Sequence, residues 1–162
     1  MEELLKEADL NLEQLLPYII GAFLCQIALW LLFANTVRKT ISYVRESNRC
    51  LLPHQAWLLA LPFFNIYWNF VVVRRLTDSL NNEFHDRQIA VEENPTQKEG
   101  YIYAGSYLTG NFPLPMFIKY IISVVTLVGF IMYWLKVNQY KNILKYSAMQ
   151  QNTAATEEEE KV

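Results

Sequence analysis

The chain has 162 residues, 52% of them hydrophobic and 14% aromatic, and its acids and bases nearly balance at a formal net charge of -2. No nucleic-acid surface follows from that balance. Cys25 in an apolar run and Cys50 in a loop make neither a disulfide pair nor a metal site. Charges gathered at the ends and in two loops, around long apolar blocks, instead mark a membrane protein whose first partner is the lipid bilayer.

Residues 1–16 place Met1, Leu4, Leu5, Ala8, Leu12, Leu15 and Leu16 at helical spacing among Glu2, Glu3, Glu7 and Glu13. This predicts an amphipathic N-terminal helix. With Lys6 as its one cation it is poorly suited to anionic lipid. It reads as an interfacial helix, a docking site for a partner, or a lead-in to the first span. Its acidity does not suit a signal peptide.

Residues 17–37 are long enough, at about 1.5 Å per residue, to cross a hydrocarbon core of roughly 30 Å, and predict the first transmembrane helix. Gln26 falls near mid-depth, where an amide normally bonds to a neighbouring helix. Residues 38–52 predict a short interfacial helix. Arg38, Lys39, Arg45 and Arg49 would sit in the headgroups while Ile41 and Val44 dip into the interface. Pro53 ends it.

The second predicted span covers 55–73 and carries Pro62, Asn65 and Asn69 where lipid tolerates them least. Pro62 predicts a kink or break, because it donates no hydrogen bond and crowds the Leu58 carbonyl. Asn65 and Asn69, four apart, share one helical face and should be sheltered by protein, with Gln26 as one partner. Trp57, Tyr67 and Trp68 add interfacial or packing bulk. Beyond Val73 the spacing of Leu76, Leu80 and Phe84 predicts an amphipathic extension whose Arg74 and Arg75 are further headgroup anchors and whose other charges form a solvated face.

Residues 88–99 read as a solvent loop. The glycine-spaced segment 100–112 reads either as a short or tilted fourth helix or as a re-entrant or surface piece. Residues 116–135 predict a full span, with Lys119 snorkelling at one end and Tyr133 and Trp134 at the other. A basic helical continuation leads to a polar, acidic tail over 147–162 that can bury nothing and is expected to be disordered. The fold class is therefore all-α and polytopic: spans at 17–37, 55–73 and 116–135, a short fourth at 100–112, and amphipathic extensions. Counting lysines and arginines barely separates three crossings from four, although both set the C-terminus in the cytoplasm.

Ser47-Asn48-Arg49, Pro53, Trp57-Leu58, Pro62-x-x-Asn65-x-x-Trp68, Val71-Val72-Val73, Ser79-Leu80 and Glu83-Phe84, followed by Tyr133-Trp134-x-Lys136 and Tyr140-Lys141, form a recurring pattern. Over residues 38–146 it resembles small integral membrane proteins of bacteria, especially Bacteroidetes. The Pro-x-x-Asn-x-x-Trp element is similar to that of a wider family of bacterial membrane domains of unknown function. The resemblance implies a four-helix protein of the bacterial inner membrane and carries no known activity or catalytic residues.

No nucleophile with a base, paired carboxylates, metal cluster or phosphate-binding loop emerges from the sequence, so neither an enzyme nor a cofactor is expected. The reading is a non-catalytic accessory or scaffold subunit binding a larger membrane partner, or assembling with itself. Gln26, Pro62, Asn65, Trp68 and Asn69 form its polar packing site. The alternative is a small oligomeric channel or transporter subunit using the span broken at Pro62.

Overall fold

The computed structural model describes the backbone of residues 2–159 and the side chains of 13–150. Among the described residues it is helical with no strand: α1 (Glu2–Ser42), α2 (Phe64–Asp86), α3 (Gln97–Gly110) and α4 (Met116–Glu159), with two 3-10 helices, Glu46–Asn48 and Pro53–Ala60, between α1 and α2.

α1 and α4 run side by side in the same direction. The Phe33 ring meets Phe130, Tyr133 and Trp134 at centroid distances of 5.3, 5.3 and 5.9 Å. One turn further along, the Trp134 indole N–H donates to Thr36 Oγ1 at 3.1 Å. Carried back at the common rise of about 1.5 Å per residue, these pairings set residues 19–38 of α1 level with 116–135 of α4. The two most apolar stretches thus share one slab. Both pass for membrane-crossing helices by length and composition, and only 6% and 17% of their apolar windows are buried.

The second apolar block is not one helix. Pro53 opens a 3-10 helix, Leu61–Asn65 turn sharply with Phe63 at φ 63, and α2 begins only at Phe64. The predicted span over 55–73, expected to be kinked or broken at Pro62, is thereby corrected: a proline ring and a residue of positive φ in succession reverse the chain. Residues 48–61 then run antiparallel along α2. Asn48 reaches Glu83, Cys50 N–H donates to Ser79 Oγ, and Trp68 Nε1 donates to the Gln55 carbonyl.

Two glycines let α3 fit. A methyl at Gly100 would lie 2.6 Å from Val73 Cγ2, and one at Gly129 would lie 3.4 Å from the Tyr103 backbone, so α2, α3 and α4 approach through positions that carry no side chain. Segment 100–112 is accordingly helical to Gly110, as part of α3, a rod of roughly 21 Å over its 14 residues at 1.5 Å per residue, shorter than the slab.

The core gathers at the end of the slab where α1 finishes. Trp30, Phe33, Ala34, Val37, Ile41 and Val44 make a helical stripe that packs on Val72, Val73, Leu76, Leu80 and Phe84 of α2 and on Tyr133, Val137, Tyr140 and Leu144 of α4. Ile41 and Val44, expected to dip into lipid, are buried in protein. The N-terminal helix leads into the first apolar stretch without a break, since α1 runs through Pro17. The amphipathic face over 1–16 lies, for its first twelve residues, outside the described side chains. At the other end α4 remains helical through 147–159, where a disordered tail was expected. No proline follows Pro115 and no glycine follows Gly129, and alanine and glutamate favour continuation.

Candidate functional site

Three clusters of polar groups are placed by this fold. The first is the inward face of the α2 start. Asn65 is 0% exposed and Asn69 3%. Neither Asn65 amide atom, nor Asn69 Nδ2, nor the nearby Tyr133 hydroxyl has a hydrogen-bond partner in the protein. Tyr107 and Tyr103 on α3 come within electrostatic reach of Asn65 and Asn69 without a bond of normal geometry closing. This sets the Phe63 turn at roughly the depth of Ile122, about two turns or 10 Å short of the start of α4. Pro62 is half-buried in that turn. Trp68 stacks on Phe64 at 5.4 Å while bonding to Gln55.

Gln26 does not join these amides, contrary to the sequence expectation. It is exposed on the other side of α3, where it lines the second cluster, a cleft of about 510 Å³ bounded by α1, α3 and α4. Leu29, Tyr103, Tyr107, Asn111, Lys119, Ile122, Ser123, Thr126, Leu127 and Phe130 complete it. Sequence periodicity assigned the tyrosines to no function. Only the antiparallel seating of α3 on α4 brings them to Gln26.

The third cluster binds the opposite end together. Glu83, fully buried, accepts from the Arg45 backbone N–H at 3.0 Å and Asn48 Nδ2 at 2.9 Å, and pairs with Arg87 at 2.6 Å. Arg87 in turn donates to the Tyr43 and Leu144 carbonyls at 3.0 and 3.4 Å and to Ser147 Oγ at 2.8 Å. The expected solvated ion-pair face is corrected here. One carboxylate and one guanidinium are interior, joining α1, α2 and α4. Nearby, Lys136 and the Tyr140 hydroxyl both bond to Glu92, holding its carboxyl below the usual range and fastening the 87–96 loop to α4.

The basic residues divide by neighbour. Lys39, Arg74 and Arg75 are exposed, and the Arg38 guanidinium lies 5.9 Å from the Trp57 ring. Arg45 Nε is 3.9 Å from Glu83. Arg49 closes the end of α1, donating to the Ile41, Ser42 and Val44 carbonyls at 3.2, 3.3 and 2.8 Å. His54 and His85 are exposed, and among the described residues no group of three or more His, Cys, Asp and Glu could hold a metal.

Neither a family model, nor a curated protein, nor a solved structure matches this chain.

Proposed function

We propose that the chain is a non-catalytic integral protein of a bacterial cytoplasmic membrane, crossed in one direction by both α1 and α4, and that it serves as an accessory or scaffold subunit for a larger membrane partner. The observation carrying this reading is the pair of apolar windows, level with each other and only 6% and 17% buried. A core helix of a water-soluble protein would hide most of such a window. In this account residues 48–61 and the start of α2 form a re-entrant hairpin, whose backbone and amides avoid lipid by packing on protein. α3 and the 111–115 linker return the chain to the far face for α4.

Charge supports the same arrangement. Of the 14 lysines and arginines, all but Lys6, Lys119 and Lys161 fall in residues 38–49, 74–98 and 136–145, which this fold brings to one end. The positive-inside rule makes that end cytoplasmic, with the C-terminal part of α4, and leaves the N-terminal end of α1 outside. The near tie between topologies arose from assigning the 38–52 and 88–99 segments to opposite faces.

The subunit role is supported by surface that the chain leaves uncovered. Among the described residues Tyr18, Phe23, Leu24, Leu32, Phe117 and Leu135 stand exposed on α1 and α4. Residues 2–16 prolong α1 by about 22 Å beyond the slab. Extraction of native membranes in a mild detergent, followed by light scattering and mass spectrometry, is expected to give one assembly of fixed stoichiometry, larger than a single 19.0 kDa chain. A monodisperse lone chain would overturn the subunit role.

The second reading, a small channel or transporter subunit, is favoured by one feature: the buried, unpartnered Asn65 and Asn69 amides beside the re-entrant turn. Solute or ion flux in reconstituted vesicles that disappears on Asn65→Leu with Asn69→Leu would establish it.

A further inference from the structure

We propose that the cleft between α1, α3 and α4 binds one anionic phospholipid of the outer leaflet, its phosphate on Lys119 and one acyl chain running inward toward Phe130. The inference rests on the bilayer reading above. It goes further in assigning a ligand to a site.

The cleft is graded along the membrane normal. Lys119 stands one turn into α4, near the outer edge of the slab, and has no carboxylate partner among the described residues. Ser123 lies one turn deeper on the same face, level with Gln26, whose amide makes no hydrogen bond among the described residues. The cation near the edge matches a phosphate, and the amide and hydroxyl one turn below line the way to the apolar track. Deeper still, Leu29, Thr126, Leu127 and Phe130 make an apolar track floored by the Tyr103 and Tyr107 rings.

Dimensions select the occupant. From Lys119 to Phe130 the track descends about 16 Å at 1.5 Å per residue, close to half of a roughly 30 Å hydrocarbon core. A helix of that length and about 10 Å diameter would fill roughly 1,250 Å³, whereas the cleft offers about 510 Å³. A partner helix would therefore lie largely outside so narrow a track, whereas a slender acyl chain can follow it along its length.

The test uses the full chain, delipidated in a neutral detergent and titrated separately with phosphatidylglycerol and phosphatidylcholine, with bound lipid counted by native mass spectrometry. One phosphatidylglycerol per chain should saturate, bound about fivefold more tightly than phosphatidylcholine, the scale of one lysine on an anionic headgroup. Lys119→Gln should abolish that preference without altering the helical spectrum. Thr126→Phe, which blocks the track, should weaken both lipids. Non-saturating binding without preference, or an unchanged preference in Lys119→Gln, would overturn the proposal. Carbonate extraction of native membranes separates the two levels: release of the chain sinks the bilayer reading, whereas retention with no lipid preference sinks this site alone.

Discussion

Glu83→Ala is expected to cost about 3–5 kcal/mol of stability, the range for removing one partner of a buried ion pair. The carboxylate is 0% exposed, and its loss would take an acceptor from three donors at once: the Arg45 N–H, Asn48 Nδ2, which keeps Asp86, and the Arg87 guanidinium. Arg87 is only 5% exposed, so it would remain as an interior charge without a counter-ion. Its bonds to Tyr43, Leu144 and Ser147 would have to hold α1 and α4 together unaided. Glu83→Gln should fall between parent and alanine, keeping the shape while giving up the charge. Asp86→Ala is the control, because Asp86 is exposed and makes one bond to Asn48. Unfolding of the detergent-solubilised protein, followed by circular dichroism, measures all three. A Glu83→Ala variant within about 0.5 kcal/mol of the parent would show that this end is held by apolar packing alone.

The second large effect has the opposite sign. Asn65→Leu is expected to stabilise the isolated chain by about 1–3 kcal/mol, because both amide atoms are buried without a partner and leucine removes that desolvation penalty. Asn69→Leu should give a smaller gain, since only its Nδ2 is unpartnered. A residue that lowers stability where it stands is usually retained for a task. Higher stability together with loss of partner assembly or of vesicle flux would identify that task. Destabilisation by a similar amount would mean instead that the tyrosine hydroxyls or interior water complete the amides' bonds.

Much of this fold is legible in the sequence, and the failures have physical causes. The windows at 17–37 and 116–135 are visible because length and apolarity alone define them. Pro62 announced a break, but a count of apolar residues across 55–73 cannot tell a kinked crossing from a reversal. The deciding feature is Phe63 at positive φ in a three-residue turn that the Phe64 N–H closes on the Pro62 carbonyl at 2.7 Å, a conformation a phenylalanine has no preference for. The glycine-spaced segment 100–112 suggested a helix without naming the neighbours that Gly100 would meet. Glu83 follows the Leu76 and Leu80 stripe by an ordinary helical step, yet a carboxylate reads as exposed until its partner is known. Arg87 supplies that partner from one turn away, and Asn48 and the Arg45 N–H from a segment that only the reversal at Phe63 brings near. Gln26 was paired with the wrong neighbours, because periodicity sets a depth on a helix and leaves open which side α3 will occupy.

The central claim is the folding-back of residues 48–73, which puts the 38–52 and 87–96 segments on one face and α1's outer end on the other. Single cysteines at Ser47, Glu93 and Glu13, in a chain with Cys25 and Cys50 replaced by serine, test it through an impermeant maleimide applied to sealed right-side-out and inside-out vesicles. The account predicts that Ser47→Cys and Glu93→Cys react only in inside-out vesicles and Glu13→Cys only in right-side-out ones. Reaction of positions 47 and 93 from opposite sides would contradict it, restoring residues 55–73 as a complete crossing.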